Sequence, residues 1–324
     1  MKPFEYARPA DAGTAVAAVA ARPDAAFLGG GTNLVDLMRL GVAGPGLLVD
    51  VTGLPLDRIE PVPGGLRIGA TVRNTDAAAD PEVRRRYPML ARALLTGASG
   101  QVRNMATIGG NLLQRTRCAY FQDVTLPCNK REPGSGCAAL HGHSRYHAVL
   151  GASDRCVAVH PSDMAVALAA LDATVRIQGP GGERTVPVAE LHSADEPDRD
   201  TVLAHGELIT GVDLPDPPAG RSAYRKVRDR ASFAFALVSV AATLDVADDG
   251  TVRSARVAFG GLAHRPWRAR QTEATLRGAP ATDESFRAAA DAELAAARPL
   301  RDNAFKVPMA RGALVATLRE LAAR

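Results

Sequence analysis

The 324-residue sequence has no stretch that resembles a membrane-spanning helix. Such a helix needs about 18 or more consecutive apolar residues, and no segment approaches that length. The first residues, MKPFEYARPADAG, also lack the basic, apolar and small-residue order of a secretory signal. We therefore expect a cytoplasmic protein without a membrane span.

Aromatic residues are scarce, at 4%, and no basic tract with interleaved aromatics is present. Lysines and arginines are scattered along the chain, although the formal net charge is +4. Nucleic-acid-binding proteins usually concentrate basic residues on one face or in one tract. The sequence therefore argues against a nucleic acid partner. It leaves a smaller anionic ligand, such as the phosphates of a dinucleotide, as the alternative.

Several common catalytic motifs are missing. Neither a Gly-x-Ser-x-Gly nucleophile motif nor a His-Glu-x-x-His metal motif occurs. The Gly-x-Gly-x-x-Gly fingerprint is absent too, because the glycines at 29–31 are contiguous, which argues against NAD in a Rossmann domain. We expect no catalytic side chain on this chain beyond a bound cofactor, which would supply the chemistry.

Cysteine is rare, and its few positions are clustered. The four cysteines have nine, eight and eighteen residues between successive members: Cys118, Cys128, Cys137 and Cys156. Clustering in a chain without a signal argues against a disulfide framework. The surrounding segment, about 115–156, is rich in Gly, Pro, His and Arg and shows neither helical nor strand periodicity. Metal ligation would order such a segment.

Thiolates select zinc or iron–sulfur centres. Structural zinc usually takes closely spaced C-x₂₋₄-C pairs, which this segment lacks, so the spacing favours a [4Fe–4S] cubane bound by Cys118, Cys128, Cys137 and Cys156. Zinc and free structural cysteines are the alternatives. His141, His143 and His147 could replace a ligand, but four cysteines complete a cubane, so we expect these histidines at the surface or beside the ligands.

Elsewhere, apolar periodicity predicts short strands and Ala-rich helices. We predict strands at 25–28, 47–51, 66–70, 157–159, 173–178, 207–214, 236–246 and 253–260. We predict helices at 14–21, 33–38, 76–79, 284–297, 308–323 and from 162 onward, with Thr75 and Ser162 as N-terminal caps. The breaker run PDPPAG at 215–220 predicts a linker, and hence two domains, 1–216 and 217–324.

Two glycine motifs in the first domain suit a diphosphate. In the first, Leu28-Gly29-Gly30-Gly31-Thr32-Asn33-Leu34, a strand runs into three glycines whose backbone N–H groups can approach a phosphate closely. The second, RNMATIGGN, contains Thr107-Ile108-Gly109-Gly110-Asn111. A glycine-rich turn is more often only a turn, but two such loops suit a diphosphate that is gripped from two sides.

With these motifs the whole chain resembles the FAD-binding medium subunits of xanthine dehydrogenase-type molybdenum hydroxylases. The resemblance implies an α+β fold: a two-subdomain FAD-binding domain of the vanillyl-alcohol oxidase-like (PCMH) type, followed by a smaller α+β C-terminal domain. It implies that both motifs hold FAD, that Asp163 binds a cofactor hydroxyl, that Ile209 makes an apolar flavin contact, and that Lys226 lies near the isoalloxazine edge. A first-turn helical residue is the alternative for Asp163, and an exposed charge is the alternative for Lys226.

The cysteine segment resembles bacterial three-subunit aldehyde oxidoreductases through R-x-x-C-A-Y-F, C-N-K-R-x-P-G-S-G-C and H-A-V-L-G-A-S-x-x-C. This implies a large molybdenum-cofactor subunit, a small [2Fe–2S] subunit, a heterotrimer or a dimer of it, and an external electron acceptor. A signal-bearing partner could carry the complex to the periplasm. Alternatives are a hydroxybenzoyl-CoA reductase-like or xanthine dehydrogenase-like complex, a cluster that serves only assembly, and a stand-alone flavin oxidoreductase.

Overall fold

The structure is a computed structural model that describes residues 1–193 and 196–323. A three-stranded parallel sheet in the order β1-β3-β2 forms the first layer. Its strands and connecting helices are β1 (Glu5–Ala7), α1 (Ala12–Ala20), β2 (Ala25–Leu28), α2 (Leu34–Arg39) and β3 (Leu47–Asp50). All four residues of β3 are buried, as expected for the central strand of a parallel sheet. The first glycine motif begins at the carboxyl end of β2.

A second, antiparallel sheet has the order β4-β5-β8-β6-β7. Its strands are β4 (Ile59–Val62), β5 (Gly65–Gly69), β6 (Thr174–Gly179), β7 (Gly182–Pro187) and β8 (Leu208–Pro215). The helices that accompany it are α3 (Asn74–Ala79), α4 (Pro81–Arg86), α5 (Pro88–Thr96), α6 (Gly100–Met105), α7 (Ile108–Leu112), α8 (Ala119–Gln122), α9 (Asp163–Ala170) and α10 (Val188–Leu191). Apolar residues that alternate along β5, β6 and β8 pack against these helices in one core.

The third sheet, also antiparallel, has the order β12-β11-β10-β9 and belongs to the C-terminal part. It comprises β9 (Arg221–Val227), β10 (Val238–Val246), β11 (Val252–Gly260) and β12 (Trp267–Arg268), with α11 (Arg270–Leu276), α12 (Asp283–Leu294) and α13 (Lys306–Ala322). The predicted α+β class is confirmed. No helix of the described residues is both long and apolar enough to span a membrane.

Helix α9 joins the two parts of the molecule. All eight of its residues are buried, because it contacts α5 on one side and β10 and β11 on the other. The small side chains of α9 allow the helix to approach these strands closely. A Cβ at Gly260 of β11 would lie 2.6 Å from a methyl group of Val166. Ser162 caps the helix, with Oγ accepting from the Ala165 N–H at 3.0 Å, as predicted.

Two local predictions are wrong. Thr75 lies inside α3, after the N-cap position at Arg73, and its hydroxyl bonds to Asn104 rather than to the helix end. The predicted strand at 157–159 is irregular in the structure. The backbone here bonds to two different segments: the Val157 carbonyl accepts from the Ala148 N–H, and the N–H of the following residue, His160, donates to the Ala263 carbonyl.

Candidate functional site

A cavity of about 1,070 Å³ lies where the two parts of the chain meet. Small-molecule sites usually enclose about 300–1,000 Å³, so the volume suits a ligand as large as a dinucleotide. The wall includes both glycine motifs, the start of α9, the loop between β9 and β10, and the edge of the cysteine segment. Predicted site residues on the wall are Gly31, Thr32, Asn33, Gly110, Asn111, Asp163 and Lys226.

The two glycine motifs form one cradle. A Cβ added to Gly30 would overlap the Met105 carbonyl oxygen of the second motif, and one added to Gly29 would lie 3.0 Å from Thr107 Oγ1. Gly31 has a φ of +74°, a conformation that favours glycine. In the described part of the chain, the N–H groups of Gly30 and Gly31 have no protein acceptor. The cradle can therefore present backbone donors to an anion.

The second motif is rigidly built. Thr107 caps α7, and its Oγ1 accepts from the Gly110 N–H at 3.1 Å. A Cβ at Gly109 would lie 3.3 Å from the Cβ of Ala70, so glycine lets this turn pack against β5 and its extension. Asn111 Oδ1 accepts from Ser162 Oγ at 2.7 Å and so links this turn to the start of α9.

Asn33 has one unused donor. Its Oδ1 accepts from the Arg115 N–H at 2.9 Å, while its Nδ2 is buried and has no partner among the described residues. A buried donor without a partner costs free energy, so a ligand that accepts from it would be stabilised. Basic side chains outnumber carboxylates on the same cavity wall, which favours an anionic ligand: the wall carries Arg39, Arg103, Arg117, Lys226 and Arg230 against Asp36, Asp163 and Asp229.

Asp163 and Lys226 form a buried ion pair on the wall. The Lys226 Nζ donates to Asp163 Oδ2 at 2.7 Å and to the Thr96 carbonyl at 3.1 Å. The Tyr224 hydroxyl donates to Asp163 Oδ1 at 2.5 Å, and burial beside this carboxylate raises the pKa of Tyr224 well above its usual range. The side chain of Lys226 is only 2% exposed, so it is not the solvated charge that was the alternative.

Other predicted residues support the wall from behind. Leu28, Gly29, Gly30, Thr107, Ile108 and Gly109 lie within or under the cradle, and Leu34 begins α2. Ile209 is 2% exposed in β8, and its Cβ would lie 3.8 Å from a Cβ at Gly109. Ile209 therefore packs against Gly109 of the second motif. Its predicted flavin contact stays a prediction.

Comparison with known proteins now identifies the family. The profile for the FAD binding domain in molybdopterin dehydrogenase matches residues 2–217. The profile for the carbon monoxide dehydrogenase flavoprotein C-terminal domain matches residues 222–321. The chain belongs to the FAD-binding medium subunits of the xanthine dehydrogenase and carbon monoxide dehydrogenase family.

Relatives in this family match over nearly the whole chain. Aldehyde oxidoreductase FAD-binding subunit PaoB of Escherichia coli K12 is 52% identical over 331 residues, covering 100% of both chains. The xanthine dehydrogenase FAD-binding subunit of E. coli O157:H7 is 26% identical, covering 89% of this chain and 84% of the relative. The solved carbon monoxide dehydrogenase of Hydrogenophaga pseudoflava, which lacks the Mo-pyranopterin moiety, matches with a TM-score of 0.78 and 28% identity, covering 99% of this chain and 97% of that one.

The four cysteines of this medium subunit lie in one region. Cys128 and Cys137 face each other in an isolated antiparallel bridge. Burial raises the pKa of the Cys118 thiol to about 12, and nearby Cys128 and Cys156 contribute to the rise. Burial likewise raises the pKa of Cys156, with smaller contributions from Cys137 and Cys128. In residues 1–193 and 196–323 no three His, Cys, Asp or Glu side chains converge tightly enough to hold a single metal ion.

The predicted histidines have different environments. His141 and His143 are exposed, whereas His147 is buried and its Nε2 lies 3.1 Å from Cys118 Sγ. Burial, together with nearby Lys306, lowers the pKa of His147 to about 4, so its ring is neutral at physiological pH. Both His147 and Cys118 line the cavity of about 1,070 Å³.

Sequence reasoning missed Tyr224 as a partner of Asp163. The signal was its spacing from Lys226, because residues i and i+2 of a strand point to the same face. It also missed the residues of the C-terminal part that hold His147. These are Asn303 and Lys306, whose side chains donate to the His147 carbonyl at 3.2 and 2.9 Å. No sequence motif marks such a long-range contact.

Proposed function

We propose that this chain is the FAD and [4Fe–4S] subunit of a molybdenum-dependent aldehyde oxidoreductase complex. In this proposal it transfers electrons from a large molybdenum-cofactor subunit and a small [2Fe–2S] subunit to an external acceptor. The observation that carries it is the cavity of about 1,070 Å³ whose wall includes both glycine motifs and also Cys118 of the cysteine segment. The 52% identical relative supports aldehyde as the substrate class.

The residues of the cavity fit FAD. The Gly29–Gly31 cradle packs against Thr107 and Met105, which leaves backbone donors and no side chains at the turn. Asn33 adds a buried amide donor that lacks a protein partner in the described residues. These groups would hold the diphosphate, together with Thr32, Gly110 and Asn111 on the wall. Bound FAD would supply a centre that accepts and releases electrons.

Asp163 would face the cofactor as an acceptor. Its two oxygens already accept from Tyr224 and Lys226, but each carboxylate oxygen can accept a further hydrogen bond. These two donors fix the orientation of the carboxylate, so a ribityl or ribose hydroxyl would meet a preformed partner. The charge of Lys226 is balanced by Asp163, so its effect on the flavin ring would be that of an ion pair and weaker than that of a free cation.

The spacing of the four cysteines in the sequence supports a cubane over a single ion. A cubane binds each thiolate at a different iron corner and therefore holds its ligands further apart than one zinc ion does. Cys118, Cys128, Cys137 and Cys156 share one region of the structure. The cluster would also stabilise thiolates that burial otherwise disfavours.

Cofactor analysis tests the proposal. The chain should be purified anaerobically with its co-expressed partner subunits, and iron, sulfide, zinc and FAD should be counted. We expect close to four irons, four sulfides and one FAD per chain. Cys128→Ser should lose iron and keep FAD, whereas the exposed control His141→Ala should keep both. Stoichiometric zinc without sulfide, or intrachain disulfides, would overturn the cluster. Absence of FAD from the native complex would overturn the flavin site.

A structural role for the cluster is the second candidate, and one observation favours it. The segment at 144–150 is bonded to the C-terminal part through Asp302, Asn303, Lys306 and the Leu262 carbonyl, so the insert links the two parts of the chain. A dithionite titration followed by EPR separates the candidates. A cluster that is reduced in step with the flavin supports electron transfer, and a redox-silent cluster supports assembly.

Substrate assays separate the remaining alternatives. The complex should be supplied in turn with aromatic and aliphatic aldehydes, purines and aromatic coenzyme A thioesters, with an artificial acceptor. Turnover of aldehydes at least tenfold above that of the other two classes supports the proposal. Preference for purines would assign a xanthine dehydrogenase-like complex instead, and preference for thioesters would assign a reductase of the hydroxybenzoyl-CoA type. A chain that is active without any partner would be a stand-alone oxidoreductase.

A further inference from the structure

His147 lies beside a cysteine sulfur on the wall of the cavity. Its Nε2 is 3.1 Å from Cys118 Sγ, and both residues line the cavity wall. The ring is buried, with 5% of the residue exposed, so water does not compete for this contact. The Cys118 sulfur is part-buried, and a hydrogen bond in such a poorly hydrated place is electrostatically stronger than the same bond in water.

The backbone of His147 is held from the C-terminal part of the chain. Lys306 Nζ donates to the His147 carbonyl at 2.9 Å and to the Gly261 carbonyl at 2.8 Å. Asn303 Nδ2 donates to the same His147 carbonyl at 3.2 Å. Both Lys306 and Asn303 are fully buried. The backbone that carries the imidazole is therefore held by groups that lie more than 150 residues away.

The hydrogen-bond pattern determines which ring nitrogen carries the proton. His147 Nδ1 is buried and has no partner among the described residues. A proton on Nδ1 would leave a buried donor unsatisfied and would set the Nε2 lone pair against the sulfur. A proton on Nε2 gives a thiolate sulfur a donor and leaves one unpaired buried acceptor at Nδ1. With Cys118 as a thiolate ligand of the proposed cluster, which has no proton to donate, the imidazole would donate Nε2–H to Cys118 Sγ.

We propose that His147 is a positioning residue that donates a hydrogen bond to the Cys118 thiolate and thereby raises the reduction potential of the cluster. This inference rests on the proposed [4Fe–4S] site. Hydrogen bonds to cluster sulfurs tune reduction potentials, because they stabilise the more negatively charged reduced state. Loss of the donor should make the cluster harder to reduce.

Three substitutions distinguish the donor from simple packing. His147→Gln places an amide N–H near the position of Nε2, His147→Asn places one near the position of Nδ1, and His147→Ala removes both. The cluster midpoint potential should be measured by EPR-monitored redox titration of each complete complex. We expect His147→Ala and His147→Asn to lower the ratio of reduced to oxidised cluster at a fixed potential by up to about tenfold, equivalent to ~59 mV for one electron. The midpoint potential of the His147→Gln cluster should stay close to the wild-type value.

Two results would overturn the inference: unchanged potentials in all three variants, or equal shifts in Gln and Ala. Iron and sulfide counts on the wild-type complex keep this test separate from the proposed function, because a chain without four irons fails at that earlier step. If the variants lose the cluster, the inference should be tested on wild-type protein labelled with ¹⁵N-histidine. Pulsed EPR of the reduced cluster should then show hyperfine coupling to a histidine nitrogen, and its absence would reject the proposal.

Discussion

Gly30 lies against the carbonyl oxygen of Met105, so closely that any Cβ at residue 30 would overlap this backbone atom. The contact joins the first glycine motif to the second, 75 residues further along the chain. A backbone carbonyl cannot rotate away as a side chain can. Glycine at residue 30 is therefore required by the packing of one motif on the other.

Gly30→Ala should separate the two halves of the cradle and lower FAD content to well below half of the wild-type value. Overpacking of this kind also costs about 1–3 kcal/mol of stability, so a lower thermal midpoint should accompany the loss. FAD should be quantified by absorbance after heat release. The matched control is Gly181→Ala, because a Cβ there meets nothing within 4 Å. A folded Gly30→Ala variant with full FAD would show that the cradle is not the diphosphate site.

Asn33→Asp should weaken FAD binding while the fold is kept. The substitution is isosteric, and it retains an oxygen to accept from the Arg115 N–H. It replaces the unpartnered Nδ2 donor with a negative oxygen that would face the diphosphate. Loss of a hydrogen bond to a charged group costs about 1.5–3 kcal/mol, or roughly 10- to 100-fold in Kd.

Flavin titration of the cofactor-free protein measures this affinity, and circular dichroism checks the fold. Asn104→Asp makes the same chemical change outside the cavity, where the Asn104 side chain is exposed and bonds to Thr75. If Asn33→Asp binds FAD as tightly as Asn104→Asp does, then Asn33 does not contact the cofactor.

Lys226→Met should destabilise the protein through Asp163. The pair is buried, at 2% and 8% side-chain exposure, so removal of the lysine leaves an uncompensated carboxylate. Breaking such a pair costs about 3–5 kcal/mol, whereas replacing both partners is often nearly neutral. The double variant Asp163→Asn, Lys226→Met should therefore recover much of the lost thermal stability. A double variant less stable than Lys226→Met would show that the pair is not coupled.

Much of the fold was predictable because its elements follow local rules. The strands at β2, β3 and β10 are apolar runs bounded by polar turns, and α12 and α13 are long Ala-rich segments. Strand β9 was not predicted, since RSAYRKV carries three basic residues and follows a run of prolines. It forms because β10 supplies its hydrogen-bond partners, and that information lies outside the segment.

The site was predictable where chemistry demands a particular residue type, and not where it depends on distant contacts. The glycine motifs could be located because a close backbone approach excludes side chains. The pairing of Lys226 with Asp163 could not, because the two residues are 63 positions apart and meet only when α9 packs between α5 and the strands β10 and β11. The same holds for Lys306 and His147, which are 159 positions apart.

Lys306 should make stability depend on pH. Burial, together with the nearby Arg145 guanidinium, lowers the pKa of its ammonium from 10.5 to about 7. Between about pH 7 and pH 10.5, the unfolded chain therefore holds a proton on this side chain that the folded chain largely lacks. Because the unfolded state binds more protons in this window, the contribution of Lys306 to stability rises with pH there and is lowest below pH 7.

Lys306→Met removes this titration, so its thermal midpoint should lack the part of the pH dependence that Lys306 supplies. We expect the thermal midpoint of wild type minus that of Lys306→Met to be lowest at pH 6 and to increase from about pH 7 to pH 9. Loss of the two hydrogen bonds to the His147 and Gly261 carbonyls lowers the variant's midpoint at every pH, because a neutral amine still donates to both. Only the pH dependence of the difference between the two thermal midpoints therefore reports the titration of Lys306. The exposed control Lys2→Met should run parallel to wild type, and a Lys306→Met curve that also runs parallel would show that Lys306 keeps its proton throughout this range.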